Sequence, residues 1–66
     1  MRLIINGLER QVRPGLTVAE LLAAEQEPAD HVLVEVNGAY VPAAEYLRLT
    51  LREGDRVELI LPAFGG

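Results

Sequence analysis

The stretch Arg2-Leu3-Ile4-Ile5-Asn6-Gly7-Leu8-Glu9-Arg10-Gln11-Val12-Arg13-Pro14-Gly15-Leu16-Thr17-Val18-Ala19-Glu20-Leu21-Leu22 decides the fold. Asn6-Gly7 between two extended runs is a strong hairpin signal, because the two-residue turns that match strand twist need positive φ at their centre, where Asn and Gly are tolerated. Residues 2–5 and 8–13 therefore predict a β-hairpin ending at Pro14-Gly15, with Met1, Leu3 and Ile5 on one face. Thr17 and Glu20 are spaced as a capping box, in which each side chain can satisfy the other residue's free amide. Val18, Leu21 and Leu22 form the apolar stripe of a short helix running to about Glu25, and Pro28 keeps it from continuing far.

Working outward, Val32 to Val36 is a β-branched run that contains Glu35 and closes on a second turn pair, Asn37-Gly38, ahead of Tyr40-Val41-Pro42. A third strand and a short fourth follow. Ala43 to Leu47 predicts one helical turn, and Glu53-Gly54-Asp55 a tight turn into the last strand, Arg56 to Leu61, with Val57, Leu59 and Leu61 on one face. The order hairpin, helix, strand, short strand, turn, strand places one helix across one face of a small mixed sheet, an α+β arrangement. Pro62 cannot donate to a ladder, so residues 62–66 read as a free tail on a single domain spanning 1–66.

With 66 residues, folding buries roughly 60% of the unfolded surface, enough for one small core. Ten Asp and Glu against six Arg, with no Lys, give a net charge of −4. That balance argues against nucleic acid and against an anionic membrane surface, both of which recruit cationic side chains. Half of the residues are apolar and 24% charged, a composition suited to a folded chain. Without Cys there is no disulfide, thiolate nucleophile or cysteine zinc site. No signal-peptide run precedes Asn6-Gly7 and no stretch is apolar enough to span a bilayer, so cytoplasmic residence is expected.

Conventional catalytic machinery is sparse. His31, beside Asp30, reads as a surface loop residue, and no second His completes a metal site. Serine and phosphate-binding loops are missing, and Thr17 and Thr50 are the only hydroxyl residues besides the two Tyr. Glu25, Glu27 and Asp30 lack the pattern of a calcium loop and read as a solvated helix end. Tyr40 and Tyr46 could mark a binding surface, but packing over one edge of the core is the stronger reading. Glu45 with Arg48, and Arg52 with Glu53, read as weak surface ion pairs.

The carboxyl end is different. Gly65-Gly66 follows the last strand with only Pro62-Ala63-Phe64 after Leu61, and a chance Gly-Gly ending occurs in about one chain in 200. Residues 62–66, fully extended, reach about 18 Å, enough to enter another protein's active site. Glycine lets the backbone thread a narrow channel, and a terminal carboxylate is ionised at neutral pH and able to attack an activated phosphate. The residues alone leave two readings open: a reactive end, or glycines that merely finish a flexible one.

Together, Leu3-Ile4-Ile5-Asn6-Gly7, Thr17-Val18-Ala19-Glu20-Leu21-Leu22, Val34-Glu35-Val36-Asn37-Gly38 running into Val41-Pro42, Glu45-Tyr46, Leu51-Arg52-Glu53-Gly54-Asp55-Arg56-Val57-Glu58 and Gly65-Gly66 cover essentially the whole chain. In these motifs the sequence resembles the small sulfur carriers of the ubiquitin-like β-grasp group, most closely the ThiS family of thiamine biosynthesis. The resemblance implies a β-grasp fold, with a mixed four- to five-stranded sheet, one main helix across one face and a flexible C-terminal tail. It implies a protein cosubstrate and not an enzyme, with no cofactor or metal of its own. A ThiF-like adenylyltransferase would use ATP and Mg2+ to convert the Gly66 carboxylate to an acyl adenylate. Sulfur from a cysteine desulfurase system would then give a thiocarboxylate, which a ThiG-like thiazole synthase consumes. Gly65, Phe64 and Ala63 would thread the partners' active sites, and Leu59 and Leu61 are candidates for docking. The ending Leu61-Pro62-Ala63-Phe64 departs from the family's usual one and is also similar to MoaD, the molybdopterin-synthase small subunit. A MoaD-like or other sulfur-transfer route, and a non-catalytic interaction module, are the alternatives.

Overall fold

A computed structural model describes residues 1–62. Strands β1 (Arg2–Ile5) and β2 (Leu8–Gln11) form the first hairpin, helix α1 (Val18–Ala24) follows, and β3 (Leu33–Val36) and β4 (Ala39–Val41) form the second hairpin. A 3-10 turn at Ala43–Glu45 leads on to β5 (Arg56–Ile60). The five strands make one mixed sheet in the order β2-β1-β5-β3-β4. The last strand thus lies in the middle, parallel to β1 (Ile5 beside Val57) and antiparallel to β3 (Val36 beside Val57, Leu33 beside Ile60).

Both hairpins turn where the Asn-Gly pairs lie: φ is +49° and +82° at Asn6 and Gly7, and +53° and +84° at Asn37 and Gly38. The two asparagines also hold β5 from either side. Asn6 Oδ1 accepts from the Leu59 amide at 2.8 Å, where the backbone of β1 has already turned away from the ladder. Asn37 Oδ1 accepts from the Arg56 amide at 3.0 Å, while its Nδ2 donates to Asp55 Oδ1 at 2.9 Å.

The helix starts as its capping box requires. Thr17 Oγ1 accepts from the Glu20 amide at 3.2 Å, and Glu20 Oε1 accepts from the Thr17 amide at 2.9 Å. The amides of Val18 and Ala19 donate to Leu49 and Tyr46 carbonyls at 3.0 and 2.9 Å, so the orphan donors of the first turn are tied to the chain ahead of β5. The helix ends earlier than Pro28 demands. Gln26 takes φ +58°, and the amides of Gln26 and Glu27 donate back to Ala23 and Leu22, the hydrogen-bond pattern of a Schellman cap with glutamine in the place glycine usually fills.

The helix lays Val18, Leu21 and Leu22 into a core with Leu3, Ile5, Val34, Val41, Val57 and Leu59, closed at its margins by Leu16, Val32, Tyr46 and Leu51. Three expectations need correction. Leu61 does not share the buried face of Val57 and Leu59: β5 stops at Ile60, opposite the first residue of β3, and Leu61 is 55% exposed beyond that last rung. The two tyrosines separate. Tyr46 closes the core and its hydroxyl donates to the Val32 carbonyl at 3.4 Å, whereas Tyr40 stands on the outer face beside Glu35 and is 63% exposed. Arg52 and Glu53 do not pair; Glu53 meets Arg2 at 3.4 Å, while Glu45 and Arg48 do form their ion pair at 2.9 Å.

Leu21→Ala removes a buried side chain from the centre of this packing and should cost about 2–5 kcal/mol in denaturant unfolding. Gln26→Gly relieves a left-handed conformation at some cost in unfolded-state entropy and should raise stability by roughly 0.5–1 kcal/mol. Thr17→Ala should lower it by about 1 kcal/mol. Hydrogen bonds from Thr17, then the neighbouring Arg13 guanidinium, hold the Glu20 carboxyl below its ordinary value. A lowered folded-state value means that its contribution is present at neutral pH and is lost as the pH falls below about 4.3. The melting temperature of Glu20→Gln should therefore vary less with pH between about 5 and 3 than that of the parent chain.

Candidate functional site

The expected reacting residues, Gly66 with Gly65, Phe64 and Ala63, lie outside the described residues. What the fold does define is the root from which they leave. That root is the end of β5, the central strand; there Leu59 and Ile60 pair with Val34 and Leu33 of β3 and Asn6 Oδ1 accepts from the Leu59 amide, while Asn37 holds the other end of the strand at Arg56. Chain continuing past Ile60 and Pro62 therefore starts from a fixed point in the middle of the sheet and not from a fraying edge.

The docking candidates divide at the end of β5, which stops at Ile60 between them. Leu59 points into the core and is buried, so it is not free to meet a partner; Leu61 is exposed beside the root. Residues the sequence reading passed over stand on the opposite face. Leu33 and Ile60, 44% and 40% exposed, are directly opposite one another across β3 and β5. Glu35 and Glu58 form the next pair on the same face, with Tyr40 beside Glu35 on β4. Alternation carried the signal for them: Leu33 precedes the buried Val34, and Ile60 follows the buried Leu59. Both are apolar, and they stay exposed because the helix covers only the other face of the sheet.

Elsewhere the side chains are engaged as surface groups. His31 Nε2 lies 3.7 Å from Asp30 Oδ2 in an exposed loop. Glu25 pairs with Arg10 at 2.9 Å, and Arg13 pairs with Glu20. Burial raises the Tyr46 phenol above its ordinary value, which keeps it a neutral hydrogen-bond donor. Among the described residues no enclosed pocket is found, no three His, Cys, Asp or Glu side chains gather as metal ligands would, and no helix is long and apolar enough to cross a membrane. The geometry thus offers a firmly held exit for the carboxyl end, flanked by an open sheet face.

Known proteins share this architecture. The model of the ThiS family matches residues 3–66. The crystal structure of a thiamine biosynthesis protein (ThiS) from Geobacter metallireducens superposes with a TM-score of 0.88 at 35% identity over the whole of both chains. The NMR solution structure of a thiamine biosynthesis protein from the same organism gives a TM-score of 0.83 at 35% identity, covering 100% of this chain and 88% of that one. A ubiquitin-like protein from Caldiarchaeum subterraneum, 24% identical with a TM-score of 0.51, shares the fold. A thiazole synthase from Paramagnetospirillum magneticum is 35% identical over 66 residues, all of this chain but 20% of that protein, so the chain spans about a fifth of that relative's length. A mixed five-stranded sheet crossed by one helix, matched from Leu3 to Gly66, places the chain in the ThiS family of small ubiquitin-like sulfur carriers.

Proposed function

We propose that the chain carries sulfur for thiazole formation in thiamine biosynthesis, as a thiocarboxylate on Gly66. The observation that supports this reading best is the family match, which runs through the Gly65-Gly66 end. An oxygen of the Gly66 carboxylate attacks the α-phosphorus of ATP, and pyrophosphate leaves; a ThiF-like adenylyltransferase supplies the nucleotide site and Mg2+. The terminal sulfur of a persulfide from a cysteine desulfurase system then attacks the acyl carbon and AMP departs, leaving an acyl disulfide. A further thiol of the donor system cleaves the S–S bond, becoming half of a new disulfide and releasing the thiocarboxylate. A ThiG-like thiazole synthase takes the sulfur, and the carboxylate returns for another cycle. The chain contributes no base or nucleophile of its own to these steps beyond the terminal carboxylate. Its part is to present that group at the end of a short arm with a fixed base.

Incubation with ATP, a ThiF-like enzyme and a sulfur donor should replace one oxygen by sulfur in those fragments of a top-down mass spectrum that contain Gly66. Localisation is needed because oxidation of Met1 produces nearly the same mass change. A C-terminus left unmodified by an enzyme that does modify the Geobacter protein would overturn the proposal. Deletion of Gly66 should abolish sulfur delivery while changing stability by less than about 0.5 kcal/mol. A truncated chain that still supports its partner's function would identify an interaction module instead.

A further inference from the structure

On the β1 side, the hydrogen bonding of β5 ends on a single residue. The Asn6 amide donates to the Val57 carbonyl at 2.9 Å, and Asn6 Oδ1 accepts from the Leu59 amide at 2.8 Å. A residue continuing β1 would accept that second bond with its own carbonyl. The left-handed turn at Asn6, with φ at +49°, ends β1 there, and the side chain supplies the acceptor instead. On the other side, pairing with β3 ends one residue later, at Ile60 opposite Leu33. The arm beyond is then the six residues from Leu61 to Gly66, with a reach of about 20 Å. Without the Asn6 acceptor, β5 would be tied on the β1 side only as far as Val57, and residues 58–60 would be held by β3 alone. Fraying to that point would lengthen the arm to nine residues, Glu58 to Gly66, and its reach to about 30 Å.

We propose that Asn6 is a positioning residue for the activation of Gly66: by accepting from the Leu59 amide, it fixes where the sheet ends and the reactive arm begins. The inference rests on the proposed sulfur-carrier function. Asn6 touches no reacting atom and acts through the Leu59 amide. Attack by the Gly66 carboxylate on the α-phosphorus of ATP requires the two atoms to be about 3–3.5 Å apart and aligned. A base that frays spreads the end of the arm over a larger volume, so fewer docked molecules hold that geometry at any moment. Docking of the folded part is unchanged. Loss of the bond therefore lowers the rate at saturation and leaves half-saturation where it was. General destabilisation does the reverse, because it reduces the amount of competent carrier without altering the rate once docked. Asn37 supplies the internal comparison. Its Oδ1 accepts from the Arg56 amide at 3.0 Å, a similar bond at the end of β5 away from the arm.

The test is the first-turnover rate of pyrophosphate release with ATP and a ThiF-like enzyme, measured over a range of carrier concentrations. Asn6→Gly keeps the left-handed turn and deletes the acceptor, whereas Asn6→Asp keeps both. Asn6→Gly should lower the saturating rate by about tenfold and move half-saturation by less than about twofold. Asn6→Asp should restore the rate to within about twofold of the parent, and Asn37→Gly should leave it at the parental value. Amide hydrogen exchange reads the clamp without a rate assay. In the parent, Leu59 should be protected within about threefold of Val57, and in Asn6→Gly its protection should fall by about tenfold. An unchanged saturating rate in Asn6→Gly, or an equal loss in Asn37→Gly or Asn6→Asp, would overturn the assignment and leave the carrier function standing. So would a Leu59 amide that exchanges more than about tenfold faster than Val57 in the parent, a result that needs no variant to fold. An enzyme that modifies the Geobacter protein but not the parent chain would overturn the function and the positioning role together.

Discussion

The structure depends on how its last strand is held. β5 fills the central place between two hairpins made earlier in the chain, and one of its bonds spans 53 residues, from the Leu59 amide to the side chain of Asn6. Asn6 does two things that conflict in most residues. It adopts a left-handed conformation so that β1 can reverse, and its short amide replaces the backbone acceptor that the reversal removes from the ladder. Asn37 repeats the arrangement at the other hairpin, accepting from Arg56 and donating to Asp55. Each turn is thus also a clamp on the central strand.

The helix is joined to the same centre by a different route. Carbonyls of Tyr46 and Leu49 accept its first amides, and the Leu51 amide donates to the Leu16 carbonyl at 2.8 Å, so the segment leading into β5 forms part of the helix cap. With only seven residues, such a helix has little stability of its own in water and relies on tertiary contacts. Capping of α1 therefore depends on the segment that leads into β5, and its packing on Val57 and Leu59 of β5 itself. This interdependence suits a protein with a core too small to tolerate independent parts.

Much of this was legible because local chemistry and fold agree. Asn6-Gly7, Asn37-Gly38 and the Thr17–Glu20 box each specify a conformation within a few residues, and all three form where the sequence places them. Legibility stops where the deciding information is non-local. Nothing within Arg56–Ile60 says that it inserts between β1 and β3. Leu61 continues the alternation of Val57 and Leu59 but has no strand opposite it to extend the core. Leu33 and Ile60 look like core residues by composition and stand on the open face because a single helix can cover only one side. Gln26 ends the helix through a positive φ that glutamine does not advertise. For the candidate site, the terminal glycines were readable from residue type, whereas the face beside their root required the register of β3 on β5.

The central position of β5 also bears on how the protein is made. Parallel pairing of β1 with β5 joins Ile4 and Ile5 to Arg56 and Val57, a contact that cannot form until the last strand has been synthesised. A product interrupted before Arg56 would have two hairpins with no strand to join them into one sheet. Such fragments expose apolar surface and are open to degradation. Completion of the fold therefore acts as a length check: a molecule that passes it has been translated at least through β5.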